Sequence, residues 1–150
     1  RTRLRASAGV VGIPVSEGGF STLPLVKVLR EGKVVGMQGD RDFSLNGLPI
    51  PFFGREAYFP RGPWELAAMT GAPILPTFFF LDADHRFHAS FGAPIRITGE
   101  RGRRMAAIEA GMRTYVADLE AIVRRDPSQW YCFYPFWDDP ARQERPSSEA

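Results

Sequence analysis

The stretch from residue 102 to 125 constrains this chain most. Met105, Ile108, Met112, Tyr115, Val116, Leu119, Ile122 and Val123 recur every three or four residues. That spacing gathers side chains on one face of an α-helix. Asp126 and Pro127 end the pattern, because proline has no N–H to donate and clashes with the preceding turn. A long helix with one apolar stripe needs an apolar layer to lie on, so the rest of the chain must supply one.

The rest reads as alternating helices and strands. Leu25, Val26 and Leu29 form the stripe of a helix over residues 22–31, with Ser21 as its cap and Gly32 at its end. Residues 33–38 are short, apolar and β-branched at Val34 and Val35, which predicts a buried strand. A further short strand is expected around Val10 to Val15. Residues 43–60 hold Gly47, Pro49, Pro51, Gly54 and Pro60 and read as a long loop of the kind that often carries function. Gly62 and Pro63 open a helix that closes at Gly71, with proline in the first turn where its missing N–H costs nothing. Residues 72–81 read as a central strand. Asp82-Ala83-Asp84 reads as a turn, and residues 76–91 as a hairpin. Pro94 to Ile97 predicts one more short strand. From Asp138 onward the chain is polar, so residues 138–150 are expected to form a disordered tail behind a domain ending at residue 137. Helices alternating with strands predict an α/β fold with a mixed central sheet flanked by helices.

Composition narrows the class. The chain has 150 residues, 44% hydrophobic and 24% charged, enough for one domain with a real core. A net charge of +2 gives no argument for nucleic acid. Arg1, Arg3 and Arg5, and Arg101, Arg103 and Arg104, form local basic runs that read as solvated faces or, less readily, as contacts to anionic lipid. The single Cys132 excludes an internal disulfide, fits a reducing compartment and has the apolar neighbours of a buried thiol. No run of about 18 apolar residues is present to span a bilayer. Many of the 12 phenylalanines sit in clusters, at Phe52-Phe53, Phe78-Phe79-Phe80 and Phe133 to Trp137. They read as core or as an acyl-chain channel or membrane-facing edge, with core favoured for Phe78 to Phe80.

Ligands of open α/β sheets bind at strand ends. Asp40, Arg41 and Asp42 stand at the end of the expected strand 33–38, as a binding cluster or as a salt-bridged strand cap. Arg61 and Gly62 open a helix whose N-terminus favours anions, which is equally plain helix-entry chemistry. Asp82, Asp84, His85 and His88 have metal-ligand chemistry, but His85 and His88 would point to opposite faces of a strand. Glu65, in the first turn of its helix, complements the helix dipole. Trp130, Tyr131, Phe133, Tyr134, Phe136 and Trp137 read as an interfacial patch or, for about half of them, as core.

The order of these blocks resembles the lysophospholipid acyltransferase superfamily, and within it the late acyltransferases of lipid A biosynthesis. Gln38-Gly39-Asp40-Arg41-Asp42 takes the place of that family's Phe-Pro-Glu-Gly-Thr-Arg block. Arg61-Gly62 takes that of its Lys/Arg-x-Gly turn, and Pro73-Ile74-Leu75-Pro76 that of its Pro-Ile-x-Pro strand. Pro127-Ser128-Gln129-Trp130-Tyr131 resembles its Pro-x-Gln-Trp/Tyr block. The resemblance covers residues 20–137. It implies a glycerolipid acyltransferase-like fold and transfer of a fatty acyl group from acyl carrier protein or acyl-CoA to a lipid hydroxyl, with no metal or redox cofactor. The implied place of work is the cytoplasmic face of a bacterial inner membrane, peripheral or through an anchor outside this sequence. In that chemistry Arg41 would pair with phosphate through its planar fork. Asp40 or Asp42 would accept from a sugar or glycerol hydroxyl.

The family's catalytic His-x-x-x-x-Asp/Glu is the main departure. Five residues beyond His85 and His88 stand Ser90 and Ala93. The region Gly12 to Gly19 also lacks the family's phosphate-binding arginine. The expectation is therefore a C-terminal portion of a longer enzyme, truncated at its N-terminus, with the catalytic motif upstream and no activity on its own. A non-catalytic lipid-binding module on the same fold is the second reading, and a metal-dependent hydrolase using His85 and His88 a third.

Overall fold

The computed structural model describes residues 7, 9–13, 22–42, 45–99 and 101–138. In chain order these form helix α1 (Thr22–Arg30), strands β1 (Leu48–Phe52) and β2 (Arg55–Phe59), helix α2 (Gly62–Thr70), strands β3 (Thr77–Leu81) and β4 (Phe87–Phe91), and helix α3 (Arg104–Arg125). Short 3-10 turns stand before and after α3, at Arg101–Arg103 and Pro127–Gln129. The mixture of helices and strands agrees with an α/β class. A mixed central sheet does not form among the described residues. The four strands make two separate two-stranded antiparallel sheets, β1–β2 and β3–β4.

Helix α3 organises the core as its periodicity predicts. Ile108, Met112, Val116, Leu119 and Val123 are buried against Ile50, Phe52, Ala57 and Phe59 of the first hairpin and Trp64 of α2. Gly111 makes this approach possible. A Cβ there would lie 2.7 Å from Ile97 Cδ1 and 3.0 Å from Trp64 Cζ3, closer than packed atoms come. Helix α2 is apolar on two sides, with Trp64 in the main core and Leu66 packed on Leu25 and Val26 of α1. It ends as predicted. Gly71 takes a left-handed φ of 74°, and its N–H donates to Ala67 O.

The expected loop 43–60 is instead largely a hairpin. Phe53 and Gly54 form its two-residue turn with φ of 51° and 76°, the twist that suits antiparallel strands. The prolines that argued against a strand are tolerated by register. Pro49 faces Tyr58 and Pro51 faces Glu56. Counting from the turn, both occupy non-hydrogen-bonded positions, where no N–H is required. The intervening Ile50 and Phe52 point into the core.

The expected buried strand 33–38 does not form. Residues 33–38 join no ladder among the described residues, and Val34 is 92% exposed. An apolar run becomes a strand only beside a neighbour that takes its N–H and C=O groups. Here Val35 and Met37 pack on the smaller cluster of Leu25, Val26 and Leu66 instead. The expected strand at 72–81 shortens to Thr77–Leu81. Residues 74 and 95 add one isolated bridge, Ile74 with Ile95, in place of the strand at 94–97.

The β3–β4 hairpin forms as expected. It does not bury Phe78 to Phe80 as a unit. Phe78 stacks on Tyr115, and Phe80 stacks on His88. Phe79, on the opposite face, is 71% exposed, because alternation along a strand sends it away from α3. Residues 9–13 form no strand. Ser21, residues 14–19 of the arginine-free region, and residues 139–150 of the tail lie outside the described residues. Asp138, the first residue of that tail, pairs with Arg55 at 2.9 Å. Among the described residues no helix is long and apolar enough to cross a membrane.

Candidate active site

Residues 39–42 sit between α3 and the C-terminal segment 130–137. Gly39 lies on the Tyr115 ring. A Cβ there would be 2.9 Å from Tyr115 Cζ and from its hydroxyl oxygen, so glycine brings the backbone down onto α3. Asp40 Oδ2 accepts from the Trp130 indole Nε1 at 3.3 Å. Arg41 donates from Nη2 to Tyr131 O at 2.9 Å, and its guanidinium lies 5.1 Å from the centre of the Tyr134 ring. Asp42 turns the other way, and its Oδ2 accepts from Gly47 N at 2.6 Å, steering the chain into β1. Asp40 and Arg41 thus face the C-terminal aromatics, not the end of a strand.

Arg61 and Gly62 have a different setting. Arg61 precedes α2 in a helical conformation and makes no side-chain cap. Its Nε donates to Glu65 Oε1 at 2.7 Å, and both side chains are a little over one-third exposed. This is an i,i+4 pair of the kind that contributes a few tenths of a kcal/mol. Glu65 therefore serves both the dipole of α2 and Arg61. Space is open around Gly62. Beyond its own helix and chain neighbours, no atom of the described residues lies within 4 Å of where a Cβ would stand, so packing alone does not demand glycine there.

The aromatic segment divides as the sequence suggested. Trp130, Phe136 and Trp137 pack on the core around Phe52. Tyr131, Phe133 and Tyr134 remain exposed. Cys132 is half-buried, not buried. His88 is held at 2.7 Å by Asp82. That bond, followed by those from the Arg86 and Asp84 N–H groups, keeps the Asp82 carboxyl below its ordinary range. No cluster of three or more His, Cys, Asp or Glu that could hold a metal occurs among the described residues.

Sequence reasoning did not place Tyr115, Trp130 and Tyr134 beside Asp40 and Arg41. The Pro-Ser-Gln-Trp-Tyr block was the available signal. The two tyrosines also give the site an alkaline signature. Burial, and then the negative charge of Asp40, push the Tyr115 phenol well above its ordinary 10.0. Burial leads in pushing Tyr134 up to about 12, with the guanidinium of Arg41 opposing. Both phenols ionise near 10.0 when unfolded and later when folded. The stability they contribute is complete below pH 10 and is lost as pH rises through the folded values. Denaturation midpoints measured across the alkaline range should therefore fall above pH 10, and Tyr115→Phe should make that fall shallower. An unchanged slope would show that Tyr115 titrates as in the unfolded chain.

Comparison with known proteins agrees with this arrangement of blocks. Residues 1–138 match the family described as bacterial lipid A biosynthesis acyltransferase. A phosphatidylinositol mannoside acyltransferase of Mycobacterium tuberculosis (strain CDC 1551 / Oshkosh) is 29% identical over 134 residues, 89% of this chain and 40% of the relative. One of Mycolicibacterium smegmatis (strain ATCC 700084 / mc(2)155) is 24% identical over 142 residues, 94% of this chain and 44% of the relative. The chain thus spans less than half the length of the curated relatives it matches. With nearly its whole length matched, the chain belongs to the bacterial lipid A biosynthesis acyltransferase family.

Proposed function

We propose that this chain forms the acceptor-binding wall of an O-acyltransferase that moves a fatty acyl group onto a hydroxyl of a phosphorylated glycolipid. The family match over residues 1–138 carries the reading. The acceptor hydroxyl attacks the thioester carbonyl of acyl-CoA or acyl carrier protein. A C–O bond forms, the C–S bond breaks, and the thiol leaves. The hydroxyl proton needs a base, for which the family's His-x-x-x-x-Asp/Glu, expected upstream of this sequence, is the candidate. Arg41 supplies a fixed positive fork for phosphate. Asp40, with Asp42 close by in sequence, supplies acceptor oxygens for sugar hydroxyls. Arg61 and Gly62, at the start of α2, form a second candidate contact for an anionic group.

The relatives named as phosphatidylinositol mannoside acyltransferases favour a mannosylated inositol phospholipid as acceptor over a lipid A precursor. Work on such a substrate places the protein at the membrane surface of a bacterial cell. Full-length protein carrying this sequence, incubated with acyl-CoA or acyl carrier protein thioester and each acceptor, should release thiol and acylated glycolipid in equal amounts. Acceptor binding without turnover for every donor and acceptor pair would replace the enzyme with a non-catalytic lipid-binding module.

A further inference from the structure

We infer that Trp130 is a positioning residue for Asp40, and that Gln129 sets Trp130 in place. This inference rests on the reading of Asp40 and Arg41 as acceptor-binding groups.

The device begins where α3 stops. Asp126 accepts from Ser128 Oγ at 2.6 Å and from Ser128 N at 3.2 Å, which folds Pro127–Gln129 into one 3-10 turn. The turn points the Gln129 side chain at the end of β3. There the amide behaves as a strand residue. Its Oε1 accepts from Leu81 N at 2.6 Å, and its Nε2 donates to Leu81 O at 2.9 Å. Nε2 also donates to Asp126 Oδ2 at 2.6 Å. Three bonds fix the amide and its orientation, since Leu81 N can only donate and Leu81 O can only accept.

Trp130 is the next residue. Its ring stands edge-on to Phe52 at 5.4 Å and to Phe136 at 4.8 Å between centroids. Phe52 and Phe136 lie 5.7 Å apart, so the three rings form one cluster, and from it Trp130 offers Nε1 to Asp40 Oδ2. The donor is neutral, so the carboxylate is oriented without being neutralised. The same segment holds Arg41 through Tyr131 O and the Tyr134 face. Residues 90 apart in sequence thus share one support. Packing and donation separate in Trp130→Phe, which keeps an aromatic ring against Phe52 and Phe136 and removes the N–H.

The experiment uses full-length protein with Trp130→Phe, Asp40→Ala and the double variant. Trp130→Phe should raise the KM for acceptor lipid about tenfold, the low end for a hydrogen bond to a charged group, with the KM for the acyl donor unchanged. The double variant should match Asp40→Ala alone, because Trp130 acts through Asp40. A raised KM in Asp40→Ala but a normal one in Trp130→Phe overturns the positioning role and leaves the acceptor site standing. A normal acceptor KM in Asp40→Ala overturns the acceptor site, and the positioning role with it. A spectroscopic arm needs no turnover. The Trp130 indole N–H signal, identified by its loss in Trp130→Phe, should move in Asp40→Ala. The Trp137 indole, bonded to Phe52 O, should stay in place. A Trp130 signal that ignores Asp40→Ala refutes the inference.

Discussion

Arg41→Ala in the full-length protein should cut acyl transfer by about two to three orders of magnitude, the size of loss that follows removal of one electrostatic donor at a reacting centre. Asp40→Ala should lose a comparable amount. Neither should unfold the protein. Arg41 and Asp40 are half-buried, and their bonds to Tyr131 O and Trp130 Nε1 are single hydrogen bonds, each contributing about 1.5 kcal/mol, the low end for a bond to a charged group. Melting temperature should therefore shift by only a few degrees. Arg41→Lys separates charge from shape. Lysine keeps the positive charge but not the planar fork, so it should recover part of the activity if Arg41 meets phosphate with two nitrogens. A large loss of melting temperature with near-normal turnover would instead make the pair a structural clasp for the C-terminal segment.

The elements legible in the sequence were those whose pattern is local. Helix α3 carries its own periodicity, α2 carries Pro63 and Gly71 as punctuation, and the β3–β4 hairpin carries the Asp82-Ala83-Asp84 turn. The strand expected at 33–38 failed because an apolar run says nothing about the partner a ladder needs. The β1–β2 hairpin was missed because Pro49 and Pro51 look prohibitive until the register places them at positions needing no N–H. The site divides along the same line. Asp40 and Arg41 could be proposed from charge and from family resemblance. Their contacts with Trp130, Tyr131 and Tyr134 join segments about 90 residues apart, and no local pattern encodes such a meeting. The aromatic density of residues 130–137 was visible. Which rings turn inward was decided by Phe52, a residue assigned to a loop.

Phe52→Ala should produce the largest stability loss of any single truncation in the first hairpin, about 3 to 5 kcal/mol. Phe52 is fully buried. Its ring lies within 4.7 to 6.0 Å of the rings of Phe53, Phe59, Trp130, Phe136 and Trp137. Alanine would leave a cavity walled by five aromatics, and rigid rings close such a space poorly. Domains hold only about 5 to 15 kcal/mol in reserve, so this one change should remove a large fraction of it. Phe87→Ala is the control, because Phe87 is 83% exposed on β4 and its loss should stay within about 0.5 kcal/mol. Denaturant midpoints of the two variants would measure the difference, and equal midpoints would show that the core lies elsewhere. The site should feel the cavity as well. Phe52 is one of the two rings that hold Trp130 edge-on, so a looser Trp130 should release Asp40. Activity of Phe52→Ala, measured where the protein is still folded, should then fall further than the folded fraction accounts for. The same excess loss should be absent in Phe87→Ala, whose exposed ring takes no part in holding Trp130.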